Sequence, residues 1–398
     1  MIGWLIGLGV IHVAPAGPVR TLSAAIASAR PGDTIVVTAG TYREAKTIIV
    51  DRRVVILGQG RPVIDAGGDH TALLVTADSV EIAGLVIENV GPSSTDDRAG
   101  IRLEDVTGCL IRDNDIRNTF FGIHGSKAVK CRIEANRVAG PGLTEQQSGN
   151  AIHLWSSDRM TITGNTARGH RDGIYLEFVT NSVLTGNEVR GNQRYGLHFM
   201  FSDSCTYRRN RFLENGAGVA VMYSKRVTMD SNQFVTNRGQ AAYGLLLKDL
   251  TDGSITHNEF RSNTTGLYLE GSSRMLVSGN HFDDNGWAIR VLANAVDNRF
   301  TDNRFVGNAF DVATNSRSSP NTFRGNFWDQ YRGFDLDHDG VGDVPHRPVR
   351  LFSLVVEQNE PALILLRSLF VGLLDQAERF LPILTPEALM DPAPRMAP

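Results

Sequence analysis

Apolar and polar residues alternate in short runs, and the runs recur around asparagine. Asn stands at 114, 136, 165, 187, 210, 232, 258, 280, 303 and 326, at intervals of 22, 29, 22, 23, 22, 26, 22, 23 and 23. An apolar residue usually falls three before each Asn (Ile111, Ile133, Ile162, Leu184) and another two after it (Ile116, Val138, Val189, Phe212). Period two over a few residues marks a strand, because successive side chains point to opposite faces. A second ladder runs in phase with the first: a small residue, then apolar-x-apolar. It includes Gly100-Ile-Arg-Leu, Ala151-Ile-His-Leu, Gly173-Ile-Tyr-Leu, Gly196-Leu-His-Phe, Gly218-Val-Ala-Val and Gly266-Leu-Tyr-Leu.

One repeat thus carries at least two short strands separated by turns. Such a unit cannot bury its apolar face alone, and stacking produces a continuous core. The Leu-rich framework of leucine-rich repeats is absent, and a β-propeller needs a period near 40–45. The pattern predicts an all-β chain, a right-handed parallel β-helix with coils of about 22–23 residues. The recurrent Asn is read as a structural ladder of side-chain amides that also tolerates tight turns. The longer intervals are insertions at Gly140–Gly149 and near Arg238–Ala242, and such insertions map to loops, often on a working face.

The ends depart from this period. Thr21 to Ala29 favours helix, stopped by Pro31-Gly32-Asp33, which predicts a short N-terminal capping helix. Residues 361–381 take helical spacing through Leu363, Leu366, Phe370, Leu373, Leu374 and Ala377. This amphipathic helix either folds back as a cap or docks on a partner, and the Pro- and Ala-rich residues after it read as a disordered tail. Residues 1–16 resemble a secretory leader ending near Ala14-Pro15-Ala16, but lack the usual positive start. The segments are then 1–16, a cap with first coils over 17–90, regular coils over 91–330, an Asp-rich loop over 331–349, and a helical extension with tail over 350–398.

Composition narrows the function. Hydrophobic residues make up 41% of the chain, enough for a substantial core, and the net charge of −3 argues against a partner held by phosphate contacts, so no nucleic acid is expected. Cys109, Cys131 and Cys205 are too few for a disulfide scaffold and fall in phase with inward positions, as core thiols.

In the second ladder, positions two and four after the small residue must face outward. Position two reads Arg102, His124, His153, Tyr175, His198, Ala220, Leu246, Tyr268 and Arg290. Position four includes Trp155, Glu177, Met200, Met222, Lys248 and Glu270. Met200 and Met222 fall on consecutive coils, about 4.8 Å apart at Cα, and His198 lies about 6.7 Å from Met200 along the same strand. Two thioethers and an imidazole form a soft donor set suited to Cu(I), with His153 and Glu177 flanking it on earlier coils. Asp335, Asp337, Asp339 and Asp343, with Gly340 at the sixth place, resemble the first half of an EF-hand-type Ca²⁺ loop. The twelfth place is His346 rather than Glu, so the loop is not a full EF-hand.

The stretch Val54-Val-Ile-Leu-Gly-Gln-Gly-Arg-Pro-Val-Ile-Asp is similar to the first coils of pectate-lyase-like β-helix proteins. Tyr195-Gly-Leu-His-Phe-Met-Phe-Ser-Asp, Asn215-Gly-Ala-Gly-Val-Ala-Val-Met-Tyr-Ser-Lys and Gly325-Asn-Phe-Trp-Asp-Gln-Tyr-Arg-Gly-Phe-Asp resemble the NosD family. The resemblance runs from about residue 19 to 385. It implies a periplasmic protein of nitrous oxide reductase maturation, working with an ABC transporter made of a membrane subunit and an ATPase. It further implies a copper chaperone that supplies metal, and the apo reductase as recipient. On this resemblance His198, Met200 and Met222 become the favoured copper site, and the C-terminal helix the favoured dock for the membrane subunit. The incomplete leader is a departure from the family.

Two other classes compete. A polysaccharide lyase, hydrolase or epimerase would use a carboxylate pair or a carboxylate with a base, for which Asp172, Glu177 and His198 are candidates. No repeat shows a clustered acid pair, however, and two Met are unusual in a sugar groove. A pure adhesion or scaffold module would carry neither site.

Overall fold

In the computed structural model the chain is a right-handed parallel β-solenoid of about 14 turns, with three parallel sheets. The structure describes residues 9–93, 95–142, 144–239, 242–316, 320–366, 368–380 and 389–396. It contains two compact units, residues 1–198 and 199–398. Residues 1–8 of the leader-like segment, 143, 240 and 241 of the two insertions, 381 of the C-terminal helical pattern, and 397–398 of the tail lie outside the described residues.

In the first unit each regular turn contributes one short strand to each sheet, paired in parallel and in register with the turns before and after. Ile111 pairs with Ile133, Ile133 with Ile162, and Ile162 with Leu184. These side chains are fully buried, as the alternation requires. The asparagines form the predicted ladder. The Asn136 Oδ1 accepts from both the backbone N and the Nδ2 of Asn114, at 3.1 and 3.0 Å, while Asn136 Nδ2 donates to the Ile111 carbonyl. The 29-residue interval leaves this bonding unchanged, with Asn136 Nδ2 to Asn165 Oδ1 at 3.0 Å, so the insertion leaves the stack between the rungs. A buried amide with donor and acceptor both satisfied avoids the cost of an orphaned polar group.

The cap helix Leu22–Ser28 forms as predicted. The Thr21 side chain accepts from Ala24 N, and Leu22, Ala25 and Ile26 are buried. Val10–Val13 is a strand paired in parallel with Thr34 to Val37, and Val13 is fully buried. This strand lies at the first edge of its sheet, beside Thr34–Thr38.

In the second unit one sheet stacks Phe212, Phe234, Phe260, Phe282, Phe305 and Trp328, with successive ring centroids 5.5, 4.6, 4.7, 5.0 and 4.1 Å apart. A further amide ladder, Asn215–Asn237–Asn263–Asn285–Asn308, lies five residues beyond the first one, and sequence reading missed it. The signal was available as a second Asn at constant offset in 210/215, 232/237, 258/263, 280/285 and 303/308.

The C-terminal segment closes this unit. Phe352 and Val356 of the helix Leu351–Gln358, and Val371 of the helix Leu369–Phe380, pack on Trp287, Phe310 and Ala313. Glu357 also pairs with Arg290 at 2.8 Å. The predicted amphipathic helix is broken in two. Residues 360–365 form a 3₁₀ turn carrying Pro361, and the α-helix begins only at Leu369. Its other face leaves Ile364, Leu369, Phe370 and Leu373 exposed, at 89, 90, 53 and 65%. No described helix is long and apolar enough to cross a membrane.

The disordered-tail reading is overturned over 389–396. Asp391 is fully buried, and its carboxylate takes the place of the next asparagine: Asn326 N and Nδ2 donate to Asp391 Oδ2 at 3.0 and 2.9 Å. Gly325 N and Trp328 Nε1 add bonds at 3.1 and 3.2 Å. A carboxylate accepts and does not donate, so it ends a ladder that every amide would otherwise extend.

Candidate functional site

The outward column of the first unit is directed away from the core but is not solvated. His124 and His198 are 4 and 5% exposed. The Gly149 backbone packs on Phe120 and Phe121 so closely that a Cβ there would come within 2.6 Å of the Phe120 carbonyl. Phe121 in turn packs on the His124 and His153 rings, at 5.3 and 5.4 Å between centroids. Position-two side chains therefore stack along the sheet: His124–His153 at 4.9 Å, His153–Tyr175 at 4.7 Å and Tyr175–His198 at 4.7 Å. Alternation sets the direction of these side chains, and the rings that stack on them from neighbouring turns contribute to their burial.

His198 is held by a network. Asp172, fully buried, accepts from Arg194 Nε and Nη2 at 3.1 and 3.0 Å and from Tyr195 N at 3.2 Å. The His198 Nδ1 stands 3.7 Å from the other Asp172 oxygen and 3.3 Å from Arg194 Nη2, while its Nε2 is buried without a partner. Burial works against the Asp172 carboxylate, yet His198 and Arg194 hold it below the ordinary range. Arg194 Nη2 donates to His198 Nδ1, so the pair of Asp172 and Arg194 fixes the ring while its Nε2 points into a buried space. It also removes Asp172 as a general acid, because a carboxylate locked by a bidentate Arg stays ionised. Sequence reading had Asp172 only as a catalytic candidate and missed Arg194 and Tyr195. Their partnership spans 22 residues and depends on the coil register.

Tyr175 lies between His153 and His198 in the stack. Burial, the neighbouring His124 and Arg171 push the His153 imidazole down to about 3, so it is neutral at physiological pH. Glu177 is half-buried and in register with Trp155 on the neighbouring turn.

The second unit holds the two thioethers. Met200 and Met222 are half-buried, each at the end of a strand, and the Phe201 amide donates to the Met222 carbonyl at 3.1 Å, placing the two strand ends on adjacent turns. Each Met is followed by an aromatic residue and a serine. The Ser202 and Ser224 hydroxyls donate back to the Met200 and Met222 carbonyls, both at 3.0 Å. Phe201 and Tyr223 have φ of 50 and 53°, which turns their rings out of the sheet, where they stack at 5.2 Å and are 42 and 41% exposed. The same left-handed turn recurs at Asp105, Lys127, Ser156, Phe178 and Asp249, so it belongs to the repeating coil, and Phe201 and Tyr223 are distinguished by their rings.

The acidic loop brings together Asp335, Asp337 and Asp339, each with an oxygen within 4.8 Å of the others. Asp343 is used differently, as its carboxylate accepts from Leu336 N at 2.7 Å. The repulsion of Asp339 holds the Asp337 carboxyl above the usual range. His346 is turned inward against Trp328, at 5.1 Å between rings. The cysteines are free and buried, as expected.

Solved structures place the architecture among parallel β-solenoid proteins. The catalytic unit of an α-1,3-glucanase from Streptomyces thermodiastaticus superposes with a TM-score of 0.60 at 14% identity, over 82% of this chain and 67% of that one. The Dettilon tailspike protein does so with a TM-score of 0.58 at 16% identity, over 78% and 69%. At such identities the likeness is one of fold. Residues 135–333 match the family model described as "Periplasmic copper-binding protein (NosD)". A "Probable ABC transporter binding protein NosD" of Pseudomonas aeruginosa is 28% identical over 90% of this chain and 87% of its own, and one of Stutzerimonas stutzeri is 27% identical over 84% and 80%. The chain belongs to the NosD family.

Proposed function

We propose that this chain is a periplasmic carrier of Cu(I) in the maturation of nitrous oxide reductase, receiving the ion from a copper chaperone and working beside an ABC transporter. The observation that supports it most is His198: a buried imidazole with an unpartnered Nε2, held at Nδ1 by Arg194, which is itself fixed by Asp172. Met200 and Met222 supply the thioethers, and the stacked Phe201 and Tyr223 form an apolar rim. Soft neutral donors of this kind favour Cu(I) over harder ions. Thioethers carry no proton, so the ion exchanges by ligand substitution without proton release from sulfur. Met200 and Met222 thus act as donors, His198 as the third ligand and Asp172 with Arg194 as its orienting pair, while Glu177 and His153 lie on the preceding coils.

In this reading the chain performs no bond-breaking chemistry. A polysaccharide-modifying enzyme would need a free acid or base, and Asp172 is locked by Arg194. The exposed apolar face at Ile364, Leu369 and Leu373 is the dock for the membrane subunit, and the ATPase acts through that subunit. The Asp335, Asp337 and Asp339 cluster takes Ca²⁺ at the millimolar affinities of extracellular sites, with Asp343 bracing the loop. Millimolar Ca²⁺ should then raise the thermal midpoint of the intact chain, and the gain should vanish in Asp337→Asn/Asp339→Asn. An identical gain in that variant would remove the site.

The deciding experiment is an anaerobic Cu(I) competition titration of the chain beside Met200→Ser/Met222→Ser. Loss of a stoichiometric site in the variant supports delivery from this face. Unchanged binding, or none in either protein, leaves a scaffold or a carbohydrate-active solenoid as the better account.

A further inference from the structure

Two of the three cysteines stand opposite one another in the first unit. Thr107 pairs with Val129 and Leu110 with Arg132, both at the 22-residue offset that sets Cys109 against Cys131 on consecutive turns. The register is pinned on either side of them: Arg132 N donates to the Cys109 carbonyl at 2.8 Å, and Gly108 N to the Val129 carbonyl at 2.9 Å. In-register Cα atoms of neighbouring strands lie about 4.8 Å apart, inside the roughly 4.4–6.8 Å that a disulfide spans. Their side chains meet. Cys109 N donates to Cys131 Sγ at 3.2 Å, and the two thiols are themselves hydrogen-bond partners. Both are buried, and both are thiols in this structure. The Cys109 thiol, helped by the Cys109 and Gly108 amides, holds the Cys131 thiol below its ordinary range although burial opposes it. Cys131 is therefore the sulfur of the pair that ionises first, and the thiolate is the reactive form.

We propose that Cys109 and Cys131 close a disulfide that staples two consecutive turns, made by exchange with the disulfide of an oxidised thiol–disulfide carrier protein. Its formation in the cell rests on the periplasmic reading above, because such bonds form and persist in oxidising compartments. The Cys131 thiolate attacks the carrier's disulfide, forming a mixed disulfide and releasing one carrier sulfur as a thiol. The Cys109 sulfur then attacks Cys131 Sγ, which closes the bond and releases the second carrier sulfur. Two electrons and two protons pass from the pair to the carrier, whose disulfide becomes a dithiol. Burial fixes the order of events. The exchange precedes closure of these turns, and afterwards neither carrier nor reductant reaches the bond, so it is structural rather than a switch. Each turn of a solenoid is held only by its neighbours, and a link across one turn removes freedom from the unfolded chain where that turn would otherwise open.

The test counts thiols in the full chain after refolding in a mixture of reduced and oxidised glutathione. The refolded chain is quenched with acid, unfolded and alkylated without reductant. One thiol per chain should react, against all three after reduction. Mass spectrometry of the digest should show a peptide joining Cys109 to Cys131, lighter by two hydrogens than its separate parts. Cys205 stands opposite Val227 in the second unit and is the internal reference, so Cys205→Ser should bring the unreduced count to zero. Three reactive thiols in the refolded chain, or a linked peptide that includes Cys205, would overturn the disulfide, and neither measurement needs a variant to fold. The same count on chain taken from the periplasmic fraction tests the bond in the cell, where one thiol supports it and three overturn it. Recovery from the cytoplasmic fraction alone would overturn the periplasmic reading, and the refolded chain would still decide the pairing.

Discussion

Replacing Asp391 by alanine removes the acceptor at the end of the asparagine ladder. Four donors lose their partner: the part-buried Gly325 N and the buried Asn326 N, Asn326 Nδ2 and Trp328 Nε1, bonded at 3.1, 3.0, 2.9 and 3.2 Å. A buried donor left unsatisfied costs roughly 1–3 kcal/mol. Segment 389–396 can lift and admit water, so the low end applies to each, giving about 4 kcal/mol in all. Turns in a solenoid contact only their neighbours, so the loss should appear as fraying of the last coil rather than global unfolding. Hydrogen exchange reads this directly. Protection at Gly325 and Asn326 should fall by nearly a thousandfold, with little change at Asn232. Asp391→Asn keeps the shape but offers one acceptor oxygen and turns an NH₂ group toward other donors, so it should recover only part of the loss. A change below tenfold in the alanine variant would refute the capping role and make the segment a passive appendage.

Other tests bear on the site and the ends. Asp172→Asn should weaken Cu(I) binding by about 10–100-fold without changing its stoichiometry, because the ligand remains and only its orientation is lost; unchanged affinity would disconnect Asp172 from the metal. Asp311 is pushed up to about 7 from 3.8, first by burial and then by Asp329. The native state therefore binds the extra proton between these values, and stability falls as pH rises from near 4 through 7. Asp311→Asn should remove that decline and add about 4 kcal/mol above pH 8, seen as a thermal midpoint that no longer drops between pH 5 and 8.5; parallel curves for both proteins would contradict it. Leu369→Gln/Leu373→Gln should leave unfolding within about 0.5 kcal/mol, as expected for exposed positions. The same variant should lose co-purification with the transporter's membrane subunit, and retained association would place the dock elsewhere.

The repeat period alone determined the solenoid, the inward residues and the asparagine ladder, because each is a local pattern copied once per turn. It also determined which column carries His124, His153, His198, Met200 and Met222, since alternation sets the side of the strand a residue occupies. What lay outside the repeat was decided by tertiary structure. Burial of His124 and His198 depends on which rings meet them from neighbouring turns, and nothing in the strand pattern encodes that. The role of Asp172 depends on Arg194 arriving one turn later. The final segment, Pro-rich and without a period, reads as a tail, yet Asp391 finds the open end of a ladder built 65 residues earlier. Local sequence specifies the repeating unit, and only the stacked whole specifies what its ends and insertions meet.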